Sequence, residues 1–135
     1  LLKDHNADYL SDMALKWHPK LGISAANVAP EFGVAESKAL YNFLIEMELK
    51  NYADEFIKIS VDSNKWHKWL LKDSKASELE KGFIAGHYIF ANRNFKELRK
   101  KIDNKINSKN IDLDQILKED VKKSILRYLK LFKVI

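Results

Sequence analysis

The chain has 135 residues, of which 46% are hydrophobic and 32% are charged, and this suits one domain with its own core. It contains no cysteine, which excludes disulfides, Cys-ligated zinc, iron–sulfur clusters and thiol nucleophiles. The net charge of +5 is unevenly distributed. Residues 1–61 contain six lysines and nine acidic residues, whereas residues 62–135 contain eighteen lysines and arginines and ten acidic residues. A polyanion should therefore prefer the C-terminal half.

The first predicted element is a helix over about Asn6–Trp17. Apolar residues that include Met13 and Trp17 form a stripe at helical spacing. Asn6 can cap this helix, and Pro19 marks its end. We therefore expect an amphipathic helix at the start of the domain.

The next stretch has the pattern of a helix-turn-helix. A short helix is predicted within Ser24–Phe32, a turn at Gly33, and a longer helix over about Glu36–Leu49. Ala29 is the small residue that a crossing helix needs, and Gly33 is permissive at the turn. The alternative is an α+β domain in which Gly33 is only a helix C-cap.

The hydrophobic period changes over residues 55–61. Ile57, Ile59 and Val61 alternate with polar residues there, which is strand spacing with one buried face. A lone strand would leave its backbone groups unpaired, so we expect a partner strand around Gly22–Ser24. A strand after the second helix is what a winged variant adds to a helix-turn-helix.

The rest of the chain predicts helices joined by short polar turns. Two of them open with a capping box, and one of these should run to about Phe90. The expected starts are, in order, Ser63, the boxes Ser77-x-x-Glu80 and Asn94-x-x-Glu97, and the end of the polar turn Asn107–Asn110. We therefore predict a mainly α fold: a winged helix-turn-helix core over about 6–73 with a small β-sheet, and extra C-terminal helices over about 77–135.

A family resemblance covers about residues 24–73. The run Ile57–Ser63 followed by Trp66–Asp73 is similar to a β-strand of the form I-x-L-x-V that leads into a short helix ending in L-x-x-D. This pattern resembles the winged helix of the largest origin-recognition-complex subunit and its relatives, among them yeast silent information regulator three. The resemblance implies a homodimerisation module of a nuclear, chromatin-associated protein in silencing or replication. Pro30 and the basic helical tail depart from the family pattern.

The third predicted helix is too acidic to be a good reader of DNA. A reading helix lies in the major groove and presents Arg, Lys, Asn or Gln to bases and phosphates. Here Glu46 and Glu48 lie on that helix, and carboxylates near phosphates oppose binding. Its candidate partner-facing or DNA-facing residues are Glu36, Ser37, Lys38, Tyr41 and Asn42.

A second hypothesis, direct nucleic-acid binding, depends on the basic C-terminal half. Its lysines and arginines include pairs at i, i+4 that share a helix face, and binding through them should weaken steeply with salt. The candidate polyanion patch is Arg93, Lys96, Arg99, Lys100, Lys101 and Lys105. The alternative is an ordinary solvated, lysine-rich helix face.

We expect no catalytic residues, metal, cofactor or small-molecule substrate. The histidines are His5, His18, His67 and His87, and no two have metal-ligand spacing. Four glycines are too few for a phosphate loop. His87 lies in an apolar stretch, which is more typical of a half-buried structural histidine than of a catalytic base.

The sequence therefore predicts a non-enzymatic module that binds another protein, most of all a second copy of itself. Trp and Tyr are favoured interface anchors; the alternative is that Trp17, Trp66 and Trp69 are simply core residues. The alternative function is a winged-helix transcription regulator that binds DNA with or without sequence specificity. No apolar run approaches the ~20 residues of a membrane span, so we expect no membrane partner. Because the chain opens with Leu1, we also expect it to be a fragment of a larger protein.

Overall fold

The computed structural model describes residues 1–135 and is mainly helical, with one small sheet. The strands are β1 (Leu2–Asp4) and β2 (Ile23–Ala26). The six α-helices are α1 (Asp12–Lys20), α2 (Pro30–Glu46), α3 (Lys50–Asp62), α4 (Glu78–Gly86), α5 (Arg93–Ile106) and α6 (Leu113–Leu131). Two short 3₁₀ turns lie at His67–Trp69 and Asn107–Lys109. None of the six helices combines the length and the apolar character that crossing a bilayer requires.

The predicted turn at Gly33 is wrong, because α2 runs unbroken from Pro30 to Glu46. Pro30 lies in the first turn of α2, where its missing N–H and its fixed φ cost nothing. The short helix predicted within Ser24–Phe32 is instead β2 and a loop. The chain therefore has no helix-turn-helix crossing at Gly33, and Gly33 is not a helix C-cap either.

The predicted strand over residues 55–61 is also wrong, because these residues belong to α3. Ala53, Phe56 and Ser60 form its fully buried stripe, at spacings of three and four residues. Helix α3 packs against α2, α4 and α5, so half-buried apolar residues flank that stripe on both sides. A wide apolar face mimics strand alternation over a short window. With neither this wing strand nor the turn at Gly33, the winged helix is not confirmed, while the mainly α class is.

Several predicted helix starts in the C-terminal half are close to those in the structure, but the start predicted at Ser63 is wrong, because Ser63 is the C-cap of α3. The capping box of α4 is formed, with the Glu80 backbone N–H donating to Ser77 Oγ and the Ser77 N–H donating to the Glu80 carboxylate. Asn92, rather than Asn94, caps α5. The first helix begins at Asp12, later than predicted, because Ser11 caps it by accepting from a backbone N–H at 3.2 Å.

The sheet pairs β1 with β2 in parallel, and α1 connects them. Leu2 is opposite Ile23 and Asp4 is opposite Ala26, with an irregularity after Leu2. A strand was expected around Gly22–Ser24 and is confirmed as β2, but its partner is β1 and not residues 55–61. We call residues 1–27, which hold this β–α–β arrangement, the N-terminal unit.

The helices α2 to α6 form a separate layer, which we call the helical body. Its core is one cluster of 13 buried apolar residues: Ala39, Leu40, Phe43, Leu44, Ala53, Phe56, Ile89, Phe95, Leu98, Ile102, Ile106, Leu113 and Leu117. Helix α4 approaches α2 and α3 closely, because a Cβ at Gly86 would lie 2.5 Å from Ser37 Oγ and 2.7 Å from Phe56 Cζ. A glycine is therefore required where the three helices meet.

Candidate interaction surfaces

The five residues predicted as a partner-facing set lie on α2, and they do not form one open face. Ser37 is fully buried and donates its hydroxyl to a backbone carbonyl one turn earlier, at 2.9 Å. Tyr41 is half-buried and packs edge-on against an α4 phenylalanine. Glu36 is half-buried as well, and its burial raises its pKa. Only Lys38 and Asn42 are exposed, so the five side chains do not present one accessible face.

The predicted polyanion patch lies on α5 and is half neutralised by neighbouring carboxylates. Arg93, Arg99 and Lys101 all form ion pairs, with nitrogen–oxygen distances of 2.7 to 3.0 Å. Arg99 binds two aspartates at once. The patch residues without an ion pair are Lys96, Lys100 and Lys105. Carboxylates beside the cations would repel phosphates, so the patch is weaker than its composition indicates.

The N-terminal unit has almost no apolar core of its own. Its only buried residues are Ala7, Leu15 and His18. The His18 ring lies between two acceptors, the Ala14 carbonyl at 3.0 Å from Nδ1 and the Asp4 carboxylate at 2.9 Å from Nε2. Burial acts to lower the pKa of His18, but these two hydrogen bonds outweigh it and raise the pKa. Because both partners are acceptors, the geometry is satisfied by the imidazolium, which donates from both nitrogens.

Polar contacts from α6 attach the N-terminal unit to the helical body. The Arg127 guanidinium donates to the Leu10 carbonyl at 2.7 Å, to Asp12 at 2.9 Å and to Glu31 at 3.2 Å. The buried Tyr128 hydroxyl donates to a backbone carbonyl of the unit at 2.9 Å and also contacts Glu31. One end of α6 is therefore the main anchor of the unit.

The unit also supplies the cap of α2. The N-cap position of α2 is Ala29, which has no side-chain oxygen. Asp8 acts in its place, because one carboxylate oxygen accepts from the Ala29 N–H at 3.1 Å and from the Glu31 N–H at 2.8 Å. A carboxylate at this position satisfies free helix donors and complements the helix dipole.

One side of the N-terminal unit presents an apolar stripe to solvent. Met13, Trp17 and Leu21 are spaced four residues apart along α1 and its C-cap, and they are 70%, 49% and 62% exposed. The amphipathic stripe was predicted from the sequence, but its largest members are about half exposed or more, with the Lys20 ammonium 4.5 Å from the Trp17 ring centroid. The alternative in which Trp17 is a core residue is therefore wrong.

The sheet of the N-terminal unit is also incomplete. Two parallel strands with no further neighbour are unusual, because parallel sheets are normally larger and covered on both faces. Strand β1 carries Lys3 and Asp4, whereas β2, with Ile23–Ala26, has no charge and no proline. Charges and proline are what usually protect an exposed edge. The outer edge of β2 is therefore open and unprotected.

A groove of about 820 Å³ lies between α2 and α4, and we call it the α2–α4 groove. Its walls are one face of each helix, the loop after β1 and the segment before α4. Its lining residues are Asn6, Asp8, Tyr9, Pro30, Val34, Lys38, Trp69, Leu70, Ser74, Lys75, Ala76, Glu80, Phe83 and Ile84. Tyr9 and Trp69 are its most exposed aromatic residues, at 60% and 46%. No sequence pattern indicates this groove, since its residues come from four separate segments.

Two contacts hold the aromatic rim of this groove. The Trp69 indole N–H donates to the Tyr88 hydroxyl at 3.1 Å, and the Lys68 ammonium lies about 5 Å from both ring centroids. The Tyr9 backbone is left-handed, with φ of 61°, and its N–H donates to Glu31 at 2.6 Å. Partial burial, and then the Asp8 and Glu31 carboxylates, raise the pKa of Tyr9 to about 12. Tyr9 therefore stays neutral at physiological pH.

The histidines do not assemble into a reactive cluster, and no group of three or more His, Asp or Glu side chains is placed to hold a metal ion. His87 is half-buried at the end of α4, and its ring fills the space where Gly33 lacks a side chain. Its Nδ1 is buried without a hydrogen-bond partner. Burial, and then the charge of Lys68, lowers the pKa of His87.

In comparisons with known proteins, no protein family, no curated protein and no solved structure matches this chain.

Proposed function

We propose that this chain is a protein-interaction module that forms a homodimer through its N-terminal unit. The observation that carries this proposal is the exposed stripe of Met13, Trp17 and Leu21. Contiguous exposed apolar residues with an aromatic centre are typical of interface anchors. The open edge of β2 belongs to the same unit and extends the surface that a partner could cover.

The symmetry of the stripe favours a second copy as the partner. Trp17 lies at its centre, with one flexible apolar residue four positions away on each side. A two-fold axis beside Trp17 would place Met13 of one copy against Leu21 of the other, in an antiparallel pair of α1 helices. Such an interface uses the same patch twice, which is the commonest arrangement in homodimers.

The area available indicates a weak dimer. Specific interfaces usually bury more than about 1,000 Å² in total, and three partly exposed side chains per copy are a small part of that. We therefore expect a dissociation constant that is micromolar rather than nanomolar.

Sedimentation velocity from ~5 to ~200 μM protein tests the proposal. The sedimentation coefficient should rise with concentration for the wild type and stay at the monomer value for Trp17→Ala. Trp69→Ala is the matched control, because Trp69 is exposed to a similar extent but lies in the groove, and it should dimerise normally. A strictly monomeric wild type at ~100 μM, or a Trp17→Ala variant that dimerises like the wild type, would overturn it.

Direct DNA binding is the second candidate, favoured by the three α5 lysines that lack ion pairs. Duplex DNA added to the same experiment tests it, with Lys96→Glu, Lys100→Glu and Lys105→Glu combined in one variant. DNA binding that is lost in this variant and weakens with salt would favour this role. The nuclear, chromatin-associated setting and the non-catalytic role stay predictions; the first comes from the resemblance alone.

A further inference from the structure

We infer that the α2–α4 groove binds an acidic, extended segment of a partner protein. This second site is separate from the self-association stripe on α1 and does not depend on it. The inference rests on the shape of the groove, on its apolar lining and on which of its charges are free.

The groove has the size and lining of a site for a few side chains. Its volume of about 820 Å³ lies within the range of ligand sites in proteins, which is about 300 to 1,000 Å³. Half of its lining residues are hydrophobic, and Val34, Phe83 and Ile84 come from the facing sides of α2 and α4. Trp69 on the rim offers a large, partly exposed ring. An apolar side chain of the bound segment therefore has a place to be buried.

The two carboxylates of the groove each accept hydrogen bonds at a helix N-terminus. The Asp8 carboxylate accepts two backbone N–H groups at the start of α2. The Glu80 carboxylate accepts the backbone N–H and the hydroxyl of Ser77, and these hydrogen bonds lower its pKa. Both carboxylates are therefore held in place by helix-cap hydrogen bonds.

The positive groups of the groove have no such partners. Lys38 and Lys75 line it, and neither forms an ion pair in the structure. The Lys38 ammonium contacts only the face of the Phe83 ring, 5.8 Å from its centroid. Lys68, beside the rim, contacts the rings of Trp69 and Tyr88 but also has no ion pair. The groove thus offers three cations to an incoming ligand, and carboxylates next to an apolar residue complement it.

A peptide fits this chemistry better than a nucleic acid does. The groove contains no arginine, the residue best suited to phosphate. The carboxylates of Asp8 and Glu80, although hydrogen-bonded, remain charged and would repel a closely spaced row of phosphates. A peptide carries fewer charges, so its acidic side chains can lie beside the lysines and away from the two caps.

The test is selection of a random twelve-residue peptide library, displayed on phage, against the Trp17→Ala chain. This variant removes the self-association stripe, so self-association does not compete with peptide binding. Enriched peptides should combine Asp or Glu with a large apolar residue. The best of them, made synthetically, should bind roughly tenfold or more weakly when Lys38→Glu and Lys75→Glu are combined. The control Lys105→Glu with Lys109→Glu makes the same change in net charge away from the groove and should have little effect.

The aromatic rim gives a second readout. Trp69→Ala should weaken peptide binding and leave dimerisation intact, whereas Trp17→Ala alone should do the reverse. Circular dichroism establishes that each variant is folded. No enriched peptide, enriched peptides without acidic residues, or equal binding to the Lys38→Glu/Lys75→Glu variant would overturn the inference. A twenty-residue oligothymidine that binds more tightly than the peptides, and is lost with the same lysines, would assign the groove to nucleic acid instead.

Discussion

The N-terminal unit and the helical body differ in what holds them together. The body is built on 13 buried apolar residues, whereas the unit buries only Ala7, Leu15 and His18. Apolar burial stabilises by roughly 25 cal/mol per Å². A large cluster sums this free energy over many contacts, none of which depends on a particular bond angle. Hydrogen bonds add only about 1 kcal/mol each, after the loss of bonds to water. The unit, which depends on contacts such as those of Arg127, should therefore open before the body does.

The same difference explains where the exposed apolar surface lies. A unit of 27 residues is too small to cover its own apolar side chains, and only the start of α2 and one end of α6 contact it. Met13, Trp17 and Leu21 stay uncovered for this reason. Exposed apolar side chains destabilise an isolated chain, but they are also the surface that a partner can bury.

The largest expected effect comes from removing a buried ring of the body. Phe56 is fully buried against the rings of Phe90 and Phe95, so Phe56→Ala should lower the free energy of unfolding by about 3–5 kcal/mol. Leu15→Ala should instead act locally, releasing the N-terminal unit with little change in the urea midpoint of the body. Urea denaturation combined with hydrogen exchange distinguishes the two. If Leu15→Ala moved the global midpoint as far as Phe56→Ala does, the two regions would be one cooperative unit.

A smaller effect is expected at the anchor between the regions. Arg127→Met keeps the aliphatic packing but removes the bonds to Leu10, Asp12 and Glu31. We expect a loss of about 1–2 kcal/mol in the closing of the unit, allowing for solvent screening of a side chain that is 32% exposed. Hydrogen exchange should quicken in α1 and β2 but not in α3. The matched control is Arg93→Met, since Arg93 forms only an exposed pair on α5; the same pattern of exchange in both variants would contradict the assignment of Arg127 as the anchor.

The smallest effect is a pH dependence of opposite sign in the two regions. The pKa of His18 is raised above its usual 6.5. Its contribution to the free energy of unfolding is therefore complete below pH 6.5 and is lost as the pH rises through the folded-state pKa. The pKa of His87 is lowered, so its contribution is present above 6.5 and declines as the pH falls toward the folded-state value. The pKa of Asp4 is lowered by the Asn6 backbone N–H and then by His18. The hydrogen bond between His18 and Asp4 therefore weakens from the Asp4 side only when acid protonates that carboxylate.

Histidine ring titrations by NMR measure this directly. The His18 pKa should lie above that of His87, and His18→Gln should remove the loosening of the N-terminal unit at alkaline pH, measured by hydrogen exchange corrected for intrinsic rates. His67→Gln is the control, because His67 is exposed and distant from both sites in sequence. A His18 pKa below 6.5 would contradict the doubly donating ring.

Local signals predicted most of the helices in the C-terminal half. The capping box at Ser77 and the polar turn before α6 depend on neighbouring residues, so the structure forms them close to where the sequence indicated. The strand predicted over residues 55–61 was wrong because the alternation of apolar and polar residues came from the two flanks of a helix, which pack against different neighbours. The turn predicted at Gly33 was wrong because the lack of a side chain there makes room for the ring of His87, a tertiary contact, and not for a bend in the backbone.

The sequence alone determined the mainly α class, the absence of cysteine chemistry and the positions of the strongest helix caps, since these follow from composition and from contacts a few residues apart. Only the tertiary structure decided which charges are free and which apolar residues are uncovered. Lys101 forms an ion pair with Glu55 from another helix, whereas Lys38 forms none and the Trp17 side chain stays 49% exposed. Availability to a partner is a property of what remains after packing, and packing joins residues that the sequence keeps far apart.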